Sequence, residues 1–262
     1  MPFVHNIDPT LIQIGPITIQ YYGVIYLLGF FVTVFYLYYM TRKKRLNLTG
    51  EDLVELLFYS IIAIPLGARL FHCFLWEPGY YLQNPLEILF FWQGGLSFHG
   101  GLAGMIAAAC FFQSRKHIRN KITRMELADH LAIPIAFALA LGRIGNFING
   151  ELPGRVTGVS WCWHFPGHEG CRHPQQLYAA FKRFVIVGLL VFQDRKKHKD
   201  GFLLWNFVML FGIGRVLIDF FRDDPTFLGL TMGQYLSLVM FIVGAVVLLK
   251  YYRRDLKRFF KS

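Results

Sequence analysis

Residues 17–40 read ITIQYYGVIYLLGFFVTVFYLYYM, twenty-four in succession without a charged side chain. An α-helix rises about 1.5 Å per residue, so about 20 apolar residues cross a hydrocarbon core of roughly 30 Å. Residues 232–249 form a second uninterrupted run, and 88–114 a third if a neutral His99 is admitted. No basic segment precedes the first run and no small-residue cleavage site follows it, so it is expected to stay in the protein as a membrane helix. The composition agrees. Of 262 residues, 55% are hydrophobic, 17% aromatic and only 16% charged, against about 25% charged in soluble domains.

The net charge is +11, and its distribution excludes a nucleic-acid stripe. Four clusters, at 42–45, 115–124, 195–199 and 250–261, hold 19 of the 27 Lys and Arg residues, and each falls between apolar segments. Clusters spaced in this way are topology signals. They divide the chain into about seven transmembrane helices, near 18–40, 52–75, 94–113, 126–148, 174–193, 201–221 and 232–252. The fold class is therefore all-α integral membrane, with the N-terminus outside and the C-terminus cytoplasmic. The whole chain, 1–262, reads as one transmembrane domain with outer loops at 76–93 and 149–173. Trp76, Tyr80, Tyr81 and Trp92 suit an interfacial aromatic belt. Five or six spans are the alternative, because Glu55 and Arg69 interrupt the second helix and Lys182 and Arg183 the fifth.

Ionisable groups inside a bilayer are costly and mark function. Arg69, Arg143 and Arg215 each follow a glycine and lie 17, 17 and 14 residues from the inner ends of their expected helices. That is about 21–26 Å across the bilayer, in its outer half. Tyr22 and His99, on helices running the other way, reach the same layer. Glu151 follows the fourth helix, and the i,i+4 spacing puts Asp219 on one face with Arg215. Guanidinium groups gathered there would grip a phosphate through paired hydrogen bonds. The alternative is that each arginine pairs with a carboxylate or snorkels to the interface, and for Arg69 no surrounding motif decides between the two.

Two glycine-rich stretches carry most of the remaining polar groups: FWQGGLSFHGGLAG at 91–104 and LGRIGNFINGELPGR at 141–155. Close helix packing accounts for Gly104 and Gly145. It does not account for His99, Arg143, Asn146, Asn149, Glu151 and Arg155 crowding into the same stretches. In the second outer loop, Cys162, His164, His168, Cys171 and His173 have a spacing that suits zinc only weakly, and Cys162 and Cys171 could instead pair. No metal and no other cofactor is expected.

On these residues the sequence resembles the bacterial prolipoprotein diacylglyceryl transferase family. GRIGNFINGELPGR (142–155) is the longest match, and SFHGGLAG (97–104) the second. GPITIQYYGVIYLLGF (15–30), RHPQQLYAA (172–180) and GRVLIDFFRDDP (214–225) follow the family's order. The resemblance implies seven transmembrane helices in the bacterial cytoplasmic membrane, with the active site facing the outer leaflet. It also implies a reaction: the diacylglyceryl group of phosphatidylglycerol moves to the lipobox cysteine of a prolipoprotein signal peptide, a thioether forms, and glycerol phosphate leaves. Family positions map onto Tyr22, His99, Arg143, Asn146, Glu151, Gly154, Arg215 and Asp219. Asp219 stands where Glu is usual, Phe211 where some members have Tyr, Ala179 where Glu is common, and Pro153 in place of a frequent aromatic.

Such chemistry needs a thiolate, yet a free cysteine has a pKa of about 8.5. His99 is the first candidate base and Glu151 the second. Arg143 and Arg215 would stabilise the charge growing on the phosphate ester. Asn146, Gly154, Tyr22 and Asp219 would bind headgroup or lipobox, or orient the arginines. The rival classes are a transporter, which should show internal repeats and a midplane site, and a non-catalytic scaffold that binds precursors.

Overall fold

The computed structural model describes residues 2–15, 17–90 and 94–260. Trp92 of the expected aromatic belt lies outside them. Six helices are long and apolar enough to cross a membrane, and the chain is a multi-pass membrane protein. They are α1 (Tyr21–Arg42), α2 (Gly50–Phe71, prolonged by a π-turn, His72–Trp76), α6 (Arg124–Ile148), α7 (Gln175–Gln193), α8 (Phe202–Asp219) and α9 (Met232–Tyr251). Between and after them come α3 (Pro78–Gln83), a 3-10 turn at Pro85–Leu89, α4 (Phe98–Ser114), α5 (Lys116–Arg119) and α10 (Arg253–Phe260).

Every helix expected from the sequence is present, with two changes at starts. The first begins at Tyr21, because Ile17–Gln20 pairs antiparallel with Thr10–Ile14 as a hairpin. The apolar run at 88–114 is not one helix. Gly94 and Gly95 have φ of 92° and 67°, a left-handed backbone no helix continues through. Ser97 then caps α4 by accepting a hydrogen bond from the Gly100 amide. The helix that falls short of a full span is thus α4, with 17 residues. The two with interrupting charges qualify.

The chain divides into two compact units, residues 36–127 and residues 1–35 with 128–262. In the first, α2 and α4 pack backbone to backbone, and a side chain at Gly104 would strike the Ala63 carbonyl. Thr49 and Asp52 form a reciprocal capping box at the start of α2. The same Asp52 holds Lys121 Nζ at 2.7 Å, and Glu55 meets His117 at 2.8 Å and Arg115 at 3.3 Å. Glu55, the acid that interrupts the second helix, is therefore matched by basic side chains near the helix start.

Arg69 closes this unit. It is 4% exposed and donates to the carbonyls of Glu87 (2.5 Å), Gly94 (2.6 Å), Ile88 (3.1 Å) and Gly95 (3.3 Å). Its guanidinium also lies 5.1 Å over the Tyr81 ring. Backbone oxygens take four of its five donors, so the choice left open between phosphate and carboxylate has a third answer. Tyr81, expected at an interface, is buried beneath it.

In the other unit α8 and α9 pack along their lengths, and the start of α8 is secured by an acid from α6. The Asp129 carboxylate accepts from the amides of Gly201 and Leu204, both at 2.7 Å, as a capping side chain would. His198 stands between Asp194 (3.5 Å) and Asp129 (3.8 Å). Burial disfavours its proton, but the hydrogen bond to Asp194 and the charge of Asp129 outweigh this and hold its pKa above the usual value.

Two predictions follow from these anchors. Each buried carbonyl left unpaired costs about 1–3 kcal/mol, so Arg69→Ala should lower thermal stability in detergent by about 3 kcal/mol and open 77–90 to protease. Arg69→Lys should restore little, because one ammonium cannot reach four carbonyls; wild-type melting of Arg69→Ala would remove the clamp. The contribution of His198 should be fully present below its unfolded pKa of about 6.5 and fade as pH rises through the raised folded value. The melting-temperature gap between wild type and His198→Gln should therefore shrink with rising pH. A gap that widens would contradict the assignment.

Candidate functional site

The longest irregular stretch of the sequence ends α6 and turns back on itself. The Glu151 amide bonds the Asn146 carbonyl at 2.9 Å. The Glu151 carboxylate accepts from Asn146 Nδ2 at 3.0 Å and Asn149 Nδ2 at 3.1 Å. Two side-chain amides thus aim one exposed carboxylate. Gln176 and Gln175, at the start of α7 and 0% and 1% exposed, donate to the carbonyls of Glu151 (2.7 Å) and Leu152 (2.9 Å). They fix where the loop leaves the helix.

Gly154 lies where three segments meet. Its amide bonds the His173 carbonyl at 2.9 Å, and the Arg155 amide bonds the Phe221 carbonyl at 2.9 Å. Arg172 Nη1 bridges the Gly154 carbonyl (3.2 Å) and Asp223 (2.8 Å). A Cβ at Gly154 would sit 2.5 Å from the Phe221 oxygen and 2.8 Å from the His173 oxygen, so only glycine fits. Burial, and then the Arg155 charge, hold the His173 pKa below its usual value. Cys162 and Cys171 are joined in a disulfide, which takes both sulfurs out of any zinc set. The N-terminal strand Phe3–Val4 pairs with Trp163–His164 and ties the loop down.

The charged centre is built from α6, α7 and α8. The expected i,i+4 pair is present: Arg215 Nε donates to Asp219 Oδ2 at 3.3 Å, with the acid 4% exposed and the arginine side chain 39% exposed. Gly233 at the head of α9 lets both approach; a Cβ there would meet Asp219 Oδ2 at 2.7 Å and Arg215 Nη2 at 2.9 Å. Arg143 is within electrostatic reach of Arg215, Asp219, Arg222 and Tyr22. Its Nη1 is buried and has no hydrogen-bond partner among the described residues. Tyr22 packs against Gly145, where a Cβ would come within 3.0 Å of its ring, and shares a hydrogen bond of 2.9 Å with the Tyr26 hydroxyl.

Tyr22, Arg143, Asn146, Glu151, Gly154, Arg215 and Asp219 all fall in one compact unit. His99 belongs to the other, exposed in the first turn of α4 with its ring edge-on to Phe98 at 5.7 Å.

Two further cations belong to this centre that the sequence reading treated only as breaks in hydropathy. Lys182 Nζ lies 4.9 Å over the Phe211 ring and the Arg183 guanidinium 5.3 Å. Arg183 is 8% exposed. Its Nη1 donates to the Leu139 carbonyl at 2.6 Å, and its Nε is buried without a partner among the described residues. The rule that singled out Arg143, a charge inside an apolar helix, applied equally to them. Phe211, noted for a missing hydroxyl, supplies the ring face on which they rest.

The sequence model of the prolipoprotein diacylglyceryl transferase family matches residues 9–250. A protein of Bordetella avium is 41% identical over 257 residues, covering 95% of this chain and 96% of its own. One of Geobacter sulfurreducens is 39% identical over 261 residues, 97% and 98% of the two chains. One of Nitrosomonas europaea is 41% identical over 257 residues, 95% and 91%. All three are named phosphatidylglycerol–prolipoprotein diacylglyceryl transferase.

Overpacking a tight site costs about 1–3 kcal/mol, so Gly154→Ala should release the loop from the 221–222 segment. Trypsin cleavage after Arg155 should accelerate well before global melting. An unchanged cleavage rate would show that the three-way junction yields to a methyl group.

Proposed function

Because the chain belongs to the prolipoprotein diacylglyceryl transferase family, we propose that it moves the diacylglyceryl group of phosphatidylglycerol to the lipobox cysteine thiol of prolipoproteins. A thioether forms and glycerol phosphate leaves, as the first step of bacterial lipoprotein maturation. The observation that carries this reading is the buried Arg143 Nη1, unpartnered among the described residues, beside the Arg215–Asp219 pair. A donor so placed calls for an anionic acceptor from outside the chain. A phosphodiester meets that need, and a second guanidinium within reach lets it be gripped from two sides.

The roles follow from the chemistry. The thiolate attacks the glycerol carbon bonded to the phosphate oxygen; Arg143 and Arg215 stabilise the charge arriving on that oxygen. Asp219 orients Arg215. Asn146, Tyr22 and Gly154 line the approach of headgroup or lipobox. His99 and Glu151 are the candidate bases for the thiol proton, and the amide clamp on Glu151 supports its being aimed. The phosphate ester is already a leaving group, so the reaction calls for no metal or nucleotide.

The four Lys/Arg clusters support a single transmembrane domain of seven spans in the bacterial cytoplasmic membrane, N-terminus outside, C-terminus inside, with the site toward the outer leaflet. The short α4 is the seventh span, since 17 residues rise about 25 Å and modest bilayer thinning covers the rest.

Labelled phosphatidylglycerol and a lipobox peptide test the reading directly. Arg143→Ala should lower transfer by about 10²-fold or more while the protein still inserts, and His99→Ala and Glu151→Gln should differ in pH profile according to which is the base. Wild-type rates in both Arg143→Ala and His99→Ala would reject the site.

A further inference from the structure

The cations of the charged centre are not equally matched by acids. Arg215 has Asp219 at 3.3 Å, and Arg222 has Asp224 at 2.7 Å. Arg143, Lys182 and Arg183 have no carboxylate at ion-pair distance among the described residues. Lys182 and Arg183 rest on the Phe211 ring, one helical turn before Arg215 on α8. An aromatic face attracts a cation but accepts no conventional hydrogen bond. Among the described residues the three donors of the Lys182 ammonium therefore stay available. Its aliphatic stem is seated on Gly214, where a Cβ would press on it (3.2 Å to Cγ), immediately before Arg215. Arg183, Arg143 and Arg215 all repel the Lys182 ammonium, and Asp219 attracts it from beyond ion-pair distance. Arg183, more than nine-tenths buried, adds a second orphaned donor, Nε, to the Nη1 of Arg143.

Three unmatched positive charges exceed what a phosphodiester brings. The reaction changes that balance. As the thiolate's electron pair forms the C–S bond, the C–O bond to phosphate breaks and its pair stays on the phosphate oxygen. The thiol proton has gone to the base. A singly charged diester leaves as a doubly charged monoester. Cations beyond those needed to hold the lipid are thus worth more in the transition state than in the ground state, the condition for catalysis rather than mere affinity.

Resting on the function proposed above, we propose that Lys182, seated on Phe211 and Gly214, is a leaving-group site: it binds the phosphate of the departing glycerol phosphate and takes up the charge gained as the C–O bond breaks. Positive charge on α7 then serves turnover and product retention more than lipid binding.

The experiment measures transfer from labelled phosphatidylglycerol to a lipobox peptide by wild type, Lys182→Met and Lys182→Arg. It also measures inhibition of each by sn-glycerol phosphate. Lys182→Met should lose about 10²-fold in kcat with KM for the lipid changed only a few-fold, and should be inhibited at least about tenfold less well by glycerol phosphate. Lys182→Arg should regain most of both. A readout on the unmutated protein stands beside this, should the methionine variant misfold. Millimolar inorganic phosphate should slow amidination of Lys182, followed by mass spectrometry, relative to chloride of equal ionic strength. An active wild type with Lys182→Met indistinguishable in kcat and inhibition, or an amidination rate indifferent to phosphate, overturns the inference alone. A wild type that transfers nothing overturns the function reading and this inference with it.

Discussion

A guanidinium carries five N–H donors and cannot shed its charge, so once taken out of water it must be met by acceptors. The arginines of this chain meet that constraint in opposite ways. Arg69 spends its donors on four backbone carbonyls and the Tyr81 ring. It is a structural cross-link, with four of its five donors committed to the backbone. Arg143 and Arg183 each keep a buried nitrogen without a partner among the described residues. An unmet donor is expensive in a resting protein, and its persistence is what a site for an anionic substrate would leave behind. Arg215 stands between these cases, oriented by Asp219 yet with its side chain 39% exposed.

The same economy of polar groups governs the ends of the helices. Asp52 caps α2 and binds Lys121, and Asp129 caps α8 from another helix while facing His198. Within each unit, acids at these termini hold both orphan backbone amides and basic side chains. Around Glu151 the work passes to neutral groups, the amides of Asn146, Asn149, Gln175 and Gln176, while at the Gly154 junction Arg172 and Asp223 join the backbone bonds. Uncharged supports position Glu151 without cancelling its charge.

Phe211 shows how a ring without a hydroxyl can serve a site's electrostatics. Without a hydroxyl the ring still offers a negative face, and Lys182 and Arg183 occupy it. Their positive charge lies next to Arg215, whose acid is Asp219. The polar network of this chain is thus tilted toward positive charge.

Local pattern alone was enough for six membrane helices, because apolar runs and the charges that end them are properties of consecutive residues, and for the Arg215–Asp219 pair, because four positions make one helical turn. It did not show that the run at 88–114 breaks before α4. It was enough also for the family, through motifs such as GRIGNFINGELPGR. Tertiary structure alone decided the rest. Arg69 became a clamp through carbonyls 18 to 26 positions away. Gly154 became a junction through residues 173 and 221. Lys182 and Arg183 joined the charged centre through a ring on the next helix. Burial, charge matching and unmet hydrogen bonds are relations between distant segments, and no spacing along the chain encodes which of them will meet.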